Sequence, residues 1–195
     1  MASVYNILDL IEQIGENEVN LALSDFSCPL NADIEHFIKH NAVNFAKQKI
    51  SMTFLILSKN GDILGFFTLA HKPLVINAAD ILQLSNTQKK RLKKHAKFDE
   101  ATQNYELSAF LIAQFGKNAA IAEAQQISGS ALMSFAIDTL CIAQHVVGGG
   151  VIFLECENKE KLLAFYQNPS NGFKKYGVRR SQEEGKEYIR LLRFF

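Results

Sequence analysis

Cysteine is scarce and badly spaced for a scaffold. The 195 residues hold three, Cys28, Cys141 and Cys156, an odd number with no C-x-x-C pair. That excludes a disulfide framework and a cysteine-rich zinc site, and it fits reduced thiols in a cytoplasm. Charge is also low: 21% of residues are charged and the net is +1, so no global field draws the chain to nucleic acid or membrane. The opening MASVYNILDLIEQIGE has no basic leader region and carries acids inside its apolar run, so a signal peptide is not expected. No apolar run approaches ~20 residues, so no membrane span is expected either. Repeats and low-complexity tracts are absent. With 48% hydrophobic residues, a chain of this length can close a sizeable core, and one domain over 1–195 is the expectation.

The low net charge hides one uneven segment. KKRLKKHAK, Lys89 to Lys97, holds six Lys/Arg and no acid, leaving 15 basic against 20 acidic residues elsewhere. It reads either as a solvated connection or as a contact for phosphates.

The periodicity predicts an alternating chain. Residues 4–16 are amphipathic. Asn31 or Asp33 can cap a helix carrying Ile34, Phe37, Ile38, Phe45 and Ala46 on one face, ending near Lys49. Strands near 52–58 and 62–71 flank Lys59-Asn60-Gly61-Asp62, where Asn-Gly signals a hairpin with positive φ at both turn residues. Residues 77–104 read as an exposed, partly helical connection. Tyr105–Phe115 is a strand, residues 129–147 a long helix stopped by Gly148-Gly149-Gly150, and Val151–Glu157 a buried strand. KEKLLAFYQN is a short helix, Gly172-Phe173 and Tyr176-Gly177 mark turns, and KEYIRLLRFF is a final strand. The class is α/β (α+β) with a mixed sheet.

The stretch QQISGSALM, Gln125 to Met133, sits between a strand and the long helix. Backbone N–H groups at a helix start lack partners within the helix, and the helix dipole adds positive potential there. A phosphate can take those donors, and a small residue such as Gly129 lets the backbone approach it. The plainer alternative is an N-cap by Ser128 with no ligand.

The spacing resembles a known element. Gln126-Ile127-Ser128-Gly129-Ser130-Ala131 fits Q-x-x-G-x-A, similar to the R/Q-x-x-G-x-G/A turn of GNAT-type N-acetyltransferases, which wraps the pyrophosphate of acetyl-CoA. Asn158, Phe165 and Tyr166, with Gly172-Phe173 behind them, resemble that family's N-x-x-x-x-x-x-F-Y-x-x-x-G-F signature. Here Asn168-Pro169-Ser170-Asn171 makes the last spacing two residues longer. A linker of roughly ten residues also separates the strand from the phosphate turn. The front half, at Phe26, Cys28, Phe37, Thr53, Phe54, Gly65 and Thr68-Leu69, resembles the GNAT toxins of bacterial toxin–antitoxin modules.

The resemblance implies a mostly antiparallel sheet flanked by helices, with a V-shaped cofactor cleft between the fourth and fifth strands. It implies transfer of acetyl from acetyl-CoA to a primary amine, on aminoacyl-tRNA, a small molecule or a protein. Leu111, Ile112 and Ala113 would offer backbone bonds to pantetheine, Gln126 to Ala131 would hold the pyrophosphate, and Tyr166 would be the general acid. Asn158 would bond pantetheine or cap the helix beginning near Lys159. No metal is called for. The partners implied are the amine acceptor, tRNA through Lys89–Lys97, an antitoxin protein and a second copy of the chain. The alternative is a non-catalytic acyl-CoA-binding or interaction module with the same fold; a weaker one is a nucleic-acid-binding domain driven by the basic run.

Other chemistry-bearing residues are less directed. Glu155 and Glu106 lie on strands and are open as bases, as is a water. His36 and His40 have metal-ligand spacing but no evident third ligand. His71 follows a strand and reads as a strand-end histidine or a substrate contact. Cys141 and Cys156 read as core thiols, not nucleophiles.

Overall fold

The computed structural model describes residues 2–182 and 185–195. In chain order the elements are β1 (Ser3–Asn6), α1 (Ile7–Ile14), α2 (Glu16–Ser24), α3 (Ala32–His36), a π-turn (Phe37–Asn41), α4 (Ala42–Lys47), β2 (Met52–Leu57) and β3 (Ile63–Asn77). Next come a 3-10 turn (Asp80–Gln83), α5 (Asn86–His95), β4 (Lys97–Asp99), β5 (Asn104–Lys117) and a 3-10 turn (Glu123–Gln125). The chain closes with α6 (Gly129–Val147), β6 (Val151–Glu157), α7 (Glu160–Gln167), β7 (Lys174–Ser181) and β8 (Lys186–Phe194). The strands form one eight-stranded sheet in the order β1-β2-β3-β5-β6-β8-β7, with β4 paired to β5. The pairs β1–β2, β2–β3, β4–β5, β6–β8 and β7–β8 are antiparallel, and β5–β6 is parallel. This is the expected class, a mostly antiparallel mixed sheet flanked by helices.

The chain divides into two compact units, Met1–Ala70 with Ile112–Thr139 and His71–Leu111 with Leu140–Phe195. β3, β5 and α6 run through both.

In the first unit Asn6 caps α1 through the Leu8 N–H, and Gly15, at φ +89°, turns the chain into α2. β1 and α2 were not foreseen as separate elements: each is too short to show a period. Asn31 caps the next helix through the N–H groups of Asp33 and Ile34, as expected. The helix is not straight, because a π-turn adds a residue at Phe37–Asn41. The extra residue rephases the helix, so Phe37 and Ile38 before it and Ala42, Val43 and Ala46 after it all enter one core. That core also holds Ile7, Leu10, Leu23, Phe26, Leu55 and Phe66.

The hairpin between β2 and β3 corrects one expectation. Gly61 has φ +90°, while Asn60 does not have positive φ. The Ser58 Oγ accepts from the N–H groups of Asn60 and Asp62, and the Gly61 N–H donates to the Ser58 carbonyl. The loop is therefore a turn with glycine at its single left-handed position, not a two-residue turn that needs positive φ twice. Inside the hairpin, the hydroxyls of Thr53 and Thr68 bond each other at 2.9 Å with both residues fully buried.

In the second unit β6 pairs with β8 along its whole length and β8 with β7. Its core gathers Leu74, Ile76, Ile81, Leu84, Leu92, Leu107, Ala109, Val151, Tyr176 and Leu192. The expected exposed connection over 77–104 is thus partly wrong. α5 begins with a capping box between Ser85 and Gln88 and buries Leu92 completely. Two lysine pairs at i,i+4, Lys89/Lys93 and Lys90/Lys94, cost about 0.2–0.5 kcal/mol each. Burial of Leu92 returns about 1.5–3 kcal/mol, so the basic helix stays docked. β7 was also unforeseen: a bulge between Lys175 and Gly177 breaks its alternation and sends Tyr176 into the core.

α6 matches its predicted bounds, and Gly148, with φ +75°, ends it by donating to the Gln144 carbonyl. With the turn before it, Glu123–Val147 is long and apolar enough by length and composition to cross a membrane. The expectation that no such segment exists fails on that count. The helix nonetheless buries Leu132, Met133, Ala136 and Leu140 along one face.

Candidate functional site

The site residues of the first unit lie on β5, α6 and the loop joining them. Ile112 is buried on β5 and Ala113, next to it, is exposed. A Cβ at Gly116 would meet Ile34 Cγ2 at 2.7 Å, and one at Gly65 would meet the Gly116 carbonyl oxygen at 2.9 Å and Leu132 Cδ2 at 3.3 Å. Two glycines therefore let β3, β5 and the first turns of α6 pack closer than side chains would permit. The long loop is pinned at its start by Asn118, which is almost fully buried. Its Oδ1 accepts from the N–H groups of Ser27 and Ala120, both at 3.0 Å, and its Nδ2 donates to the Ile63 carbonyl at 2.8 Å. These three bonds explain how a linker of this length can still deliver a fixed turn.

At the end of that loop Ile127 is buried and anchors the turn. The Gln126 side chain does not point outward: its Nε2 donates to the Ile121 carbonyl at 3.0 Å. The Leu132 N–H makes the first helical bond, to the Ser128 carbonyl, and Ser128 Oγ accepts from the Ala131 N–H at 3.1 Å. Ser128 is thus an N-cap, as the plainer alternative had it. The cap uses one donor. The N–H groups of Gly129 and Ser130 precede the first helical bond, and no described residue accepts from them. They head a 19-residue helix, where the dipole favours an anion.

The site residues of the second unit lie on β5, β6 and α7. Leu111 is half-buried on β5 and pairs with Phe153. Parallel pairing of β5 with β6 covers only Phe110–Leu111 and Ile152–Phe153. Tyr166 is buried on α7, its ring 5.0 Å from Phe165 and 6.0 Å from Phe173. Burial, then the neighbouring Cys156 thiol, pushes its phenol well above the usual value. The two-residue extension behind it is tightly knit. Asn168 Nδ2 and Asn171 Nδ2 both donate to the Phe165 carbonyl at 2.7 Å, and Arg193 Nη1 donates to the Asn171 carbonyl at 2.8 Å. Gly172 takes φ +69°, and the Phe173 N–H returns to the Tyr166 carbonyl at 3.1 Å. The extension therefore locks the end of α7.

Asn158 does not cap α7. Lys159 occupies that position, and Asn158 Nδ2 donates to Glu187 Oε1 at 2.8 Å. Neither candidate base is placed for the task. Glu155 is held by Arg179 Nε at 2.7 Å and lies 3.4 Å from Arg190 Nε, and Glu106 stands opposite Lys97. His71 lies tilted against Phe110, ring centroids 5.0 Å apart. The His36 and His40 rings lie tilted against each other, centroids 4.7 Å apart, beside a pocket also lined by Cys28, Glu35 and Lys39. Among the described residues no three His, Cys, Asp or Glu side chains converge on a metal position. Burial raises the Cys156 thiol to about 11, so it is no thiolate at neutral pH. Cys141 is exposed on α6, against the expectation of a core thiol, because it lies on the outward face one residue past Leu140.

Sequence reasoning missed Asn118 and the β4–β5 hairpin. A lone buried asparagine leaves no pattern. KFDEATQNYE is too polar to look like a hairpin, although its turn residues Asp99, Thr102 and Gln103 were available as a signal.

No protein-family model matches this sequence, and no curated protein does. Solved structures do match in fold. A structure of AtaT complexed with acetyl-methionyl-tRNA superposes with a TM-score of 0.62 at 16% identity, covering 96% of this chain and 94% of that one. A tyrosine-to-phenylalanine variant of KacT gives 0.61 at 16% identity, over 96% and 93%. AtaTR bound with AcCoA gives 0.56 at 15% identity, over 97% and 92%. The chain thus has the fold of the GNAT toxins across essentially its whole length.

Proposed function

We propose that the chain is an acetyl-CoA-dependent N-acetyltransferase that acetylates the free amine of aminoacyl-tRNA, the whole of 1–195 serving as one catalytic domain in the cytoplasm. The observation that carries this reading is the pair of uncommitted N–H groups, Gly129 and Ser130, at the head of α6 inside Q-x-x-G-x-A. The fold shared with AtaT and KacT supports it, as do a complex of AtaT with acetyl-methionyl-tRNA and one of AtaTR with AcCoA.

Acetyl-CoA supplies the activated acetyl group as a thioester. Within Gln126 to Ala131, the backbone N–H groups of Gly129 and Ser130 bind its pyrophosphate, with Ser130 Oγ free to add a donor; the Gln126 and Ala131 N–H groups are held by Glu123 and Ser128. Leu111, Ile112 and Ala113 offer backbone bonds to pantetheine. Asn158 reaches pantetheine only by leaving Glu187. The acceptor nitrogen attacks the thioester carbon, the C–S bond breaks, and the amine gives up one proton. Tyr166 protonates the leaving thiolate. A phenol held neutral by burial is in the right protonation state for that step. With Glu155 paired to Arg179 and Arg190, a water takes the amine proton. Lys89–Lys97 contacts tRNA phosphates. A bound antitoxin protein and a second copy of the chain belong to the same reading, supported for the first by AtaT structures that contain AtaR.

One observation favours the second reading, a non-catalytic acyl-CoA-binding module: Tyr166 is buried. Incubation with labelled acetyl-CoA and charged tRNA separates the two. Label on the aminoacyl amine in the wild type, lost in Tyr166→Phe while acetyl-CoA still binds, supports the enzyme. Acetyl-CoA binding without transfer supports the module.

A further inference from the structure

The second unit carries a surface that electrostatics alone does not explain. Lys90, Lys93 and Lys94 fall on an arc of α5 away from the buried Leu92, with half-buried Lys89 at its edge, three residues before Leu92. Among the described residues none of the four forms an ion pair. The helix is fixed in place: Arg91 lies over the Phe194 ring at 4.7 Å and donates to the Phe195 carbonyl at 2.6 Å. An adaptable charged tether needs no such anchoring.

Beside this arc lies an aromatic pair. The chain leaves α5 and enters β4, where Phe98 stands directly opposite Tyr105 of β5. Their rings are 4.7 Å apart, and Lys93 Nζ lies 5.6 Å above the Tyr105 ring. Tyr105 is half-buried against the core, while Phe98 is 38% exposed. A large aromatic at a three-residue edge strand, supported from below by a fixed tyrosine, has no packing reason to stay uncovered. The nearby acids do not cancel the charge of the arc. Asp99 is turned into its own loop by the Thr102 hydroxyl and the Ala101 N–H, both at 2.9 Å, and Glu106 faces Lys97. Glu100 is exposed on the hairpin as well.

Lysines that track a backbone beside an aromatic face that stacks a base are the two parts of a single-strand nucleic-acid site. We infer that α5 and the β4–β5 hairpin bind a single-stranded RNA segment, with one unpaired base stacked on Phe98 and the flanking phosphates held by Lys89, Lys90, Lys93 and Lys94. This deepens the proposed function and takes from it only that the acceptor is an RNA. A duplex or an acidic protein could use the charges but has no loose base for Phe98.

The test uses the full-length protein and a fluorescein-labelled single-stranded RNA of about eight nucleotides, a length within one such site. Anisotropy is read against salt. Phe98→Leu keeps an apolar side chain and loses the stacking face; it weakens binding roughly 10-fold with the salt slope unchanged. Phe98→Tyr restores the affinity. Lys90→Gln with Lys94→Gln lowers the salt slope by about 0.7 per charge. Equal affinity of Phe98→Leu and wild type, or equal affinity of the wild type for the single strand and for a duplex of the same length, overturns the inference. Acetyl-CoA binding is measured on the same samples. RNA binding without acetyl-CoA binding removes the transferase reading and leaves this site standing; the reverse removes this site and leaves the transferase.

Discussion

Tyr166 is where chemistry and burial meet at the level of single residues. Replacing it by phenylalanine keeps the ring between Phe165 and Phe173 and removes only the hydroxyl. The expected outcome in steady-state kinetics is a fall in kcat of about 100-fold or more with acetyl-CoA affinity kept. Because burial holds the phenol above its ordinary ~10, no falling limb from this group appears between neutral pH and that value. The same burial sets a stability rule. Cys156 is raised from 9.0 to about 11 and Tyr176 from 10.0 to about 12, both mainly by desolvation. A group raised in the fold stabilises it below its unfolded value and loses that contribution as pH climbs toward the folded one. Urea melts should therefore show stability flat to about pH 9 and falling above it; Cys156→Ala delays the onset. The buried Thr53–Thr68 pair gives a second residue-scale outcome. Either single change to valine orphans a buried hydroxyl and costs about 1–3 kcal/mol, while the double change costs less than the two singles together. These threonines were legible as positions of a family resemblance; the structure supplies the reason, a shared hydrogen bond in a dry core.

Among the elements, α6 was the most readable and the β4–β5 hairpin the least. A 19-residue apolar period with a glycine stop can be found by eye, and its bounds hold to the residue. The π-turn cannot, because one inserted residue leaves both flanking periods intact and only shifts their phase. α5 was misread because its composition is polar. A single buried Leu92, a capping box and the Arg91 anchor decide its fate, and none of these moves a window average. Leu92→Ala is expected to cost about 2–5 kcal/mol in a chemical melt, and a loss near zero would mean that α5 is not docked. The turn before α6 was readable as a pattern, but the division of its donors was not. Ser128 claims the Ala131 N–H, so Ser128→Ala costs about 1 kcal/mol of stability and leaves the donors of Gly129 and Ser130 in place. The variant should melt earlier and still bind acetyl-CoA.

For the molecule as a whole, the fold is that of the GNAT toxins; one unit carries a helix head with two spare donors, and the other a buried phenol. The acceptor amine is the part least written in the sequence, since on the proposed reading it depends on surface placement of Lys89–Lys97 and Phe98 and not on core periodicity. The measurement that bears most directly on the account is calorimetric titration of acetyl-CoA into the wild type and into Gly129→Glu. The added carboxylate would stand where the proposed function holds the pyrophosphate and would repel it, while α6 keeps its cap. Micromolar binding by the wild type and none by the variant is the expected result, with both equally helical by circular dichroism. A folded wild type that does not bind, or a variant that binds as tightly, would contradict it and leave the turn at Ser128 as a helix cap alone.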